Sequence, residues 1–383
     1  MLRLRACILT HLLSSPSASP ISPLRQLLSA AAVSPSPRFA VEEYLVETCG
    51  LTRDHALKAS GKISHLKSRS NLDSVLAFLA GLGLSSADVI SLVAKDPQFL
   101  CASVEETLEP VVTGLAGLGL SRDVIARIFA LGRNGFRCNR SVVPKLQYYL
   151  DLFGSTEDLL RALKRSSHLL SSDLATAVEP NVKLLRDCGL GTRDIAKLSI
   201  NMPRILTTSP ERIRAMVACA EGIGVPRHSP MFRHALQAVA FNNEEKIAAK
   251  LEYLKKTCRW SDAEMGIAVS KAPYLLRKTK DMLQRRSDFL ISEVGLEPAH
   301  IAHRPALLSY SLDGRLRPRY FVLKFLKENG LLEHLRGYYA AVLVSEKVFI
   351  RKFICPHEEA ASHLAEDYAA ACRGEVPANF RFT

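Results

Sequence analysis

The side chains in this sequence that could do chemistry are cationic. Arg277, Lys278 and Lys280 cluster after one proline, Arg315, Arg317 and Arg319 alternate, and Arg351 and Lys352 are adjacent. Arg204 directly follows a second proline, in MPRIL. A guanidinium offers a planar fork of donors that matches phosphate oxygens, and an ammonium offers a compact point charge. These nine residues are therefore the candidate phosphate ligands, the arginine clusters above all. For any single lysine, the plainer reading is a charge that solvates the outer face of a helix. The formal net charge of +13 agrees with a polyanionic partner.

Other chemistry is not legible. His300 and His303, and His357 and His363, have no cysteine or carboxylate at ligand spacing, so neither a metal nor another cofactor is expected. GLAGLGLS (114–121) has a glycine-rich look, yet no strand precedes it and no Gly-Lys-Ser/Thr follows, so it reads as a helix terminus. There is no nucleophile elbow and no serine–histidine arrangement, and an enzyme is not expected. The nine cysteines include no CxxC pair; Cys49 and Cys188 each precede Gly-Leu, a register that suggests small buried residues. Tyr148, Tyr149, Tyr338 and Tyr339 could stack on bases, although packing in a helical core is the first expectation.

The elements that carry these residues recur. Gly50, Gly83, Gly119, Gly154, Gly189 and Gly224 mark a period of about 35 residues, resumed at Gly295 and Gly330 after a degenerate copy at Arg259-Trp260. The prolines of KDPQFL, NMPRIL, KAPYLL and HRPALL (Pro97, Pro203, Pro273 and Pro305) follow nearly the same clock. Gly61, Asn134 and Ser167 take their place in other units, and the segment 238–243 also lacks the proline. Within one unit, Gly189 or Gly191 ends a helix, Thr192 caps the next, and Pro203 stops it. Thr208 or Ser209 then caps a second helix with Pro210 at its first position. EPVVTGLAGLGL and EPNVKLLRDCGL read as such second helices. No strand pattern is present, so the expected fold is an all-α solenoid of eight or nine units over residues 42–352.

The Gly-Leu-Ser/Thr-(x)-Asp segments followed by MPRIL, DPQFL, APYLL and RPALL resemble the mitochondrial transcription termination factor (mTERF) family. The closing SEKVFIRKF (345–353) is similar to the end of its plant members. The resemblance implies a left-handed superhelix of three-helix units with a basic concave groove that holds organelle DNA or RNA. It also implies a role in transcription termination or regulation, or in transcript maturation, with organelle RNA polymerase as a further candidate partner. Double-stranded DNA held through its phosphates by a monomer is the leading expectation. An RNA-binding splicing or stability factor and a protein-binding helical scaffold are the alternatives.

Residues 1–41 differ in composition. They hold Arg3, Arg5, Arg25 and Arg38, many serines and no acid before Glu42, as an organelle transit peptide would. The arginines favour the mitochondrion, and the Ser/Ala/Pro content keeps the chloroplast open. No apolar run is long enough for a membrane span. Without the leader the charge is still +9, of which +8 falls in 242–352. Residues 353–383 form an acidic, partly helical C-terminal tail.

Overall fold

The period appears in the backbone as a series of left-handed helix ends. A computed structural model of the chain describes residues 39–132, 136, 142–332 and 337–380; most of the expected leader, and Asn134, lie outside these. All eight clock glycines from Gly50 to Gly330 have φ between +67° and +100°, and Arg259, the degenerate copy, has φ +55°. At every one of these ends except Gly154, which Ser155 follows, the next residue is apolar and donates its N–H to a carbonyl five or six residues back. Examples are Leu84 to Leu79 (3.1 Å), Leu190 to Leu185 (3.2 Å) and Trp260 to Lys255 (2.9 Å). This is the Schellman bond, and it explains the Gly-Leu pair: glycine accepts the left-handed turn and leucine folds back onto the helix it has just left. Cys49, Cys188 and Cys258 precede these turns and are buried, as their register suggests.

The proline joints share one geometry. Asp96, Met202, Ala272 and Arg304 precede the four prolines with φ from −144° to −130° and ψ from 52° to 79°. Proline disfavours the helical conformation in the residue before it. The chain leaves the first helix there and makes one short turn: Pro97–Cys101, Arg204–Thr207, Pro273–Arg277 or Pro305–Ser309. Two apolar residues of each turn are buried, such as Ile205 and Leu206. Ser166 makes the same break without proline, and Leu169 and Leu170 are buried in the turn His168–Ser171. The helix Arg53–Ile63 runs straight through Gly61. At 238–243 no short helix forms; Phe241, at φ +57°, turns the chain directly to Asn243.

Caps set the helix starts. Ser209 accepts from the Arg212 N–H, with Pro210 at the first position, and Ser261 and Glu264 form a reciprocal capping box. The helix expected to be capped by Thr192 instead begins at Thr192, with Gly191 at the cap position. Three second helices start a turn earlier than their Glu-Pro or Arg-Pro pair. Val104–Leu108, Leu174–Val178 and Leu312–Leu316 form wide π-type turns before Pro110, Pro180 and Pro318. A proline ring collides with the carbonyl four residues back, and widening the turn moves that carbonyl away.

Six first helices stack in sequence: Arg53–Ile63, Ser86–Lys95, Arg122–Gly132, Thr156–Arg165, Thr192–Asn201 and Phe232–Val239. The core runs without a break from Val41 to Phe380, because Ile223 and Leu251 pack against both of its halves. The fold is an all-α repeat solenoid with no strand among the described residues. Its last layer is the segment beyond 353, where Leu364–Cys372 packs on Arg317–Glu328 and Phe380 is buried near Phe321 and Phe325.

The degenerate turn gives a test of the cap series. A non-glycine residue in the left-handed region is strained by about 1 kcal/mol. Arg259→Gly should therefore raise stability by about 0.5–1 kcal/mol, read as a higher thermal midpoint. An unchanged or lower midpoint would show that the Arg259 side chain contributes more than the strain.

Candidate nucleic-acid interface

A joint exposes carbonyls that a continuous helix would have used, and at several of them side chains from the preceding second helix supply the donors. Asn71 Nδ2 donates to Leu100 O (2.8 Å) and Ala102 O (3.2 Å). Asn181 Nδ2 donates to Leu206 O (3.1 Å) and Thr208 O (2.7 Å). Lys145 Nζ reaches Leu170 O at 3.0 Å, and Tyr149 Oη reaches Leu169 O at 2.9 Å. Arg286 Nη1 donates to Leu308 O at 2.8 Å. Arg319 closes the series: its Nη1 lies 2.8, 3.1 and 2.7 Å from the carbonyls of Ala341, Val342 and Val344.

This corrects the reading of Arg315, Arg317 and Arg319 as one phosphate-binding cluster. Arg319 is fully buried, its Nη2 paired with Glu346 at 2.7 Å and its guanidinium 4.5 Å from the Phe349 ring centroid. Arg317 is held by Asp313 at 2.7 Å and Glu293 at 3.8 Å. Arg315 is half-buried, donates to Val344 O at 3.3 Å and lies 4.9 Å from the Tyr310 centroid. On a helix, residues two apart do not share a face, so an alternating triplet is divided among three environments. The position of Arg319 was readable: Leu316, Val322 and Leu326, on its own helix face, are all core residues.

The remaining candidates stay near the surface. Arg204 is exposed, with its guanidinium 4.8 Å from the Phe241 centroid, and Arg212 shares that ring at 5.5 Å. Arg277 is exposed and donates from Nη1 to Gln237 Oε1 at 3.1 Å. Lys278 is half-buried; Lys280 is exposed, with Nζ 4.9 Å from the Tyr253 centroid. Arg351 and Lys352 are exposed in the last turn of Glu346–Phe353, where cations suit the helix dipole.

The structure adds residues that the clusters did not flag. Arg304 lies 5.2 Å from the Tyr339 centroid, and the His234 and Tyr274 rings are 5.9 Å apart. Burial first, then the neighbouring Tyr310 and Tyr339, push the Tyr274 phenol pKa up, so three half-buried tyrosines from successive joints lie together. Tyr149 and Tyr338 belong to the core, as expected. His234 is held below the usual imidazole range by burial and then by Arg233 and Arg277; burial and Arg304 do the same to His300. The signal for this row was the period itself: Arg204–Phe241 and Arg304–Tyr339 are each about one repeat apart. Among the described residues, no three His, Cys, Asp or Glu side chains gather as metal ligands would, and no helix is long and apolar enough to cross a membrane.

The left-handed helix ends and the broken joints recur together over most of the chain, and the mTERF family profile matches residues 54–349. The chain belongs to the mTERF family. It is similar to transcription termination factor MTERF8, a chloroplastic protein of Arabidopsis thaliana, at 22% identity over 266 residues, 68% of this chain and 51% of that one. It is also similar to transcription termination factor MTEF18, a mitochondrial protein of the same plant, at 22% over 302 residues, 76% of this chain and 50% of that one. This mTERF chain thus spans about half the length of the relatives it matches.

Removing the buried guanidinium separates structure from binding. Arg319→Ala leaves three carbonyls without their donor, while Glu346 keeps Tyr368; at about 1–3 kcal/mol for each buried group left unpaired, it should cause a large drop in the unfolding midpoint. Arg351→Ala should leave the midpoint within about 1 °C, since exposed surface substitutions change stability by only about 0.5 kcal/mol. Equal effects would undo the division made here.

Proposed function

We propose that the chain binds nucleic acid through the joint row of its second half and so regulates transcription in an organelle. Double-stranded DNA held by its phosphates is the first ligand, and the chain acts as a monomer. The observation that carries this reading is the way the cations are held. Arg204, Arg212, Lys280, Arg304 and Arg315 lie against aromatic rings, which fix a cation without neutralising it. Their net charge remains available to phosphate. The mTERF membership and the names of the two plant relatives support the same role, and both relatives are organellar. The +13 net charge supports a polyanionic ligand. Tyr274, Tyr310 and Tyr339 favour a second reading, in which unpaired RNA bases stack along the row.

Fluorescence anisotropy of the full chain on duplex DNA and on single-stranded RNA, across a salt series, tests both. On DNA, log affinity should fall against log salt with a slope of about −0.9 per neutralised phosphate. Arg204→Ala with Arg212→Ala should flatten that slope by about 1.8, two contacts' worth, with the thermal midpoint unchanged. Tighter binding to RNA, lost in Tyr310→Ala, would select the second reading. A folded chain that binds neither would point to a protein ligand instead.

A further inference from the structure

One place in the row brings two guanidiniums and an imidazole together from the facing elements of two neighbouring units. Arg233 and His234 lie on the helix Phe232–Val239, and Tyr274 and Arg277 lie on the next unit's joint, which packs against it. Arg233 Nη2 is 3.0 Å from His234 Nε2, and its Nε is 3.1 Å from Asp194 Oδ1 on the helix Thr192–Asn201. An arginine can only donate, so Nε2 is the accepting nitrogen and the imidazole is neutral, with its proton on Nδ1. Arg277 Nη1 reaches the same helix at Gln237 Oε1. Gln237 is 7% exposed, and its Nε2 has no hydrogen-bond partner.

Two guanidiniums, one imidazole and an unfilled amide donor thus converge between two units, against a single carboxylate. We propose that Arg233, His234 and Arg277 form a subsite for one backbone phosphate, at which His234 takes up a proton when the phosphate arrives. The proposal rests on the nucleic-acid reading above and adds to it a proton-coupled contact. As the phosphate enters, Arg233 turns Nη2 from the ring to a phosphate oxygen. Nε2 is then open, gains a proton from solvent and donates to the same anion.

Charge decides the direction. Burial, Arg233 and Arg277 all favour neutral imidazole in the free protein, and Asp194 opposes them only in part. A phosphodiester brings a negative charge that favours the imidazolium. Binding therefore takes up a proton, and by linkage it strengthens as pH falls through the interval between the free and bound pKa values.

The test measures affinity of the full chain for one DNA duplex from pH 8 to pH 6 at constant ionic strength. Wild-type affinity should rise about five-fold, within the ten-fold per pH unit that one proton allows. His234→Gln, which can donate but cannot titrate, should lose that rise. Calorimetry of the wild-type chain in two buffers of different ionisation enthalpy gives a second reading that needs no variant: proton uptake on binding at pH 7. Binding that persists with no rise and no uptake, or with the same rise in His234→Gln, overturns the subsite and leaves the nucleic-acid reading intact. A folded chain that binds at no pH overturns both.

Discussion

The fold depends on what happens to the carbonyls at a broken helix. A joint that turns the chain inside the core leaves backbone acceptors without N–H partners, and a buried unpaired acceptor costs on the order of 1–3 kcal/mol. Asn71, Lys145, Asn181, Arg286 and Arg319 each answer this from the helix of the unit before. The contact ties neighbouring units only, 22 to 31 residues apart in sequence, so stability accumulates along the array one interface at a time. Arg165 and Lys271 act similarly at the rim, donating to the carbonyls of Asn201 and His303 at the end of the next unit's first helix.

The same device changes the meaning of the basic composition. In the earlier units the donors are two amides, an ammonium and a phenol, whereas at 286 and 319 they are guanidiniums inside the core. Part of the +8 excess over 242–352 is therefore structural and never faces a ligand. What remains is sorted by partner. Arg317 and Arg233 sit on carboxylates, Arg317 with the Phe289 ring beside it as well; Arg204, Lys280, Arg304 and Arg315 sit on rings. An arginine on a carboxylate brings a partly neutralised charge to any anion, whereas one on a ring brings its full charge.

Local rules made the repeat legible. A left-handed end needs glycine or a strained substitute, its successor needs an apolar side chain, and proline disfavours helix in the residue before it. Each rule acts within a few residues, so Gly50 through Gly330, and even the degenerate Arg259, could be read directly. The candidate site was less legible because its partners lie a repeat apart. Arg277 beside Lys278 looks like a pair, yet its contact is Gln237. Arg315, Arg317 and Arg319 look like a row, yet helical rotation sends them to a ring, two carboxylates and the core.

Direction along the array follows from these contacts. In the first units the joint at Pro97 is filled by Phe99 set edge-on to the stacked pair Phe129 and Phe136, and two cations nearby are engaged with the protein itself: Lys95 with Ser91, and Arg122 with the Gly81 carbonyl. From Arg204 onward the joints carry cations against Phe241, Tyr253, Tyr310 and Tyr339. The first half therefore works mainly as packed scaffold, and the second half presents charge on a surface whose spacing the scaffold sets. Because neighbouring units are registered on one another through donors such as Asn181, Arg286 and Arg319, a change of twist at one of these interfaces would shift all the cations beyond it. The spacing of the cations is thus a property of the interfaces, and substitutions at these donors should alter it without touching a cation of the row.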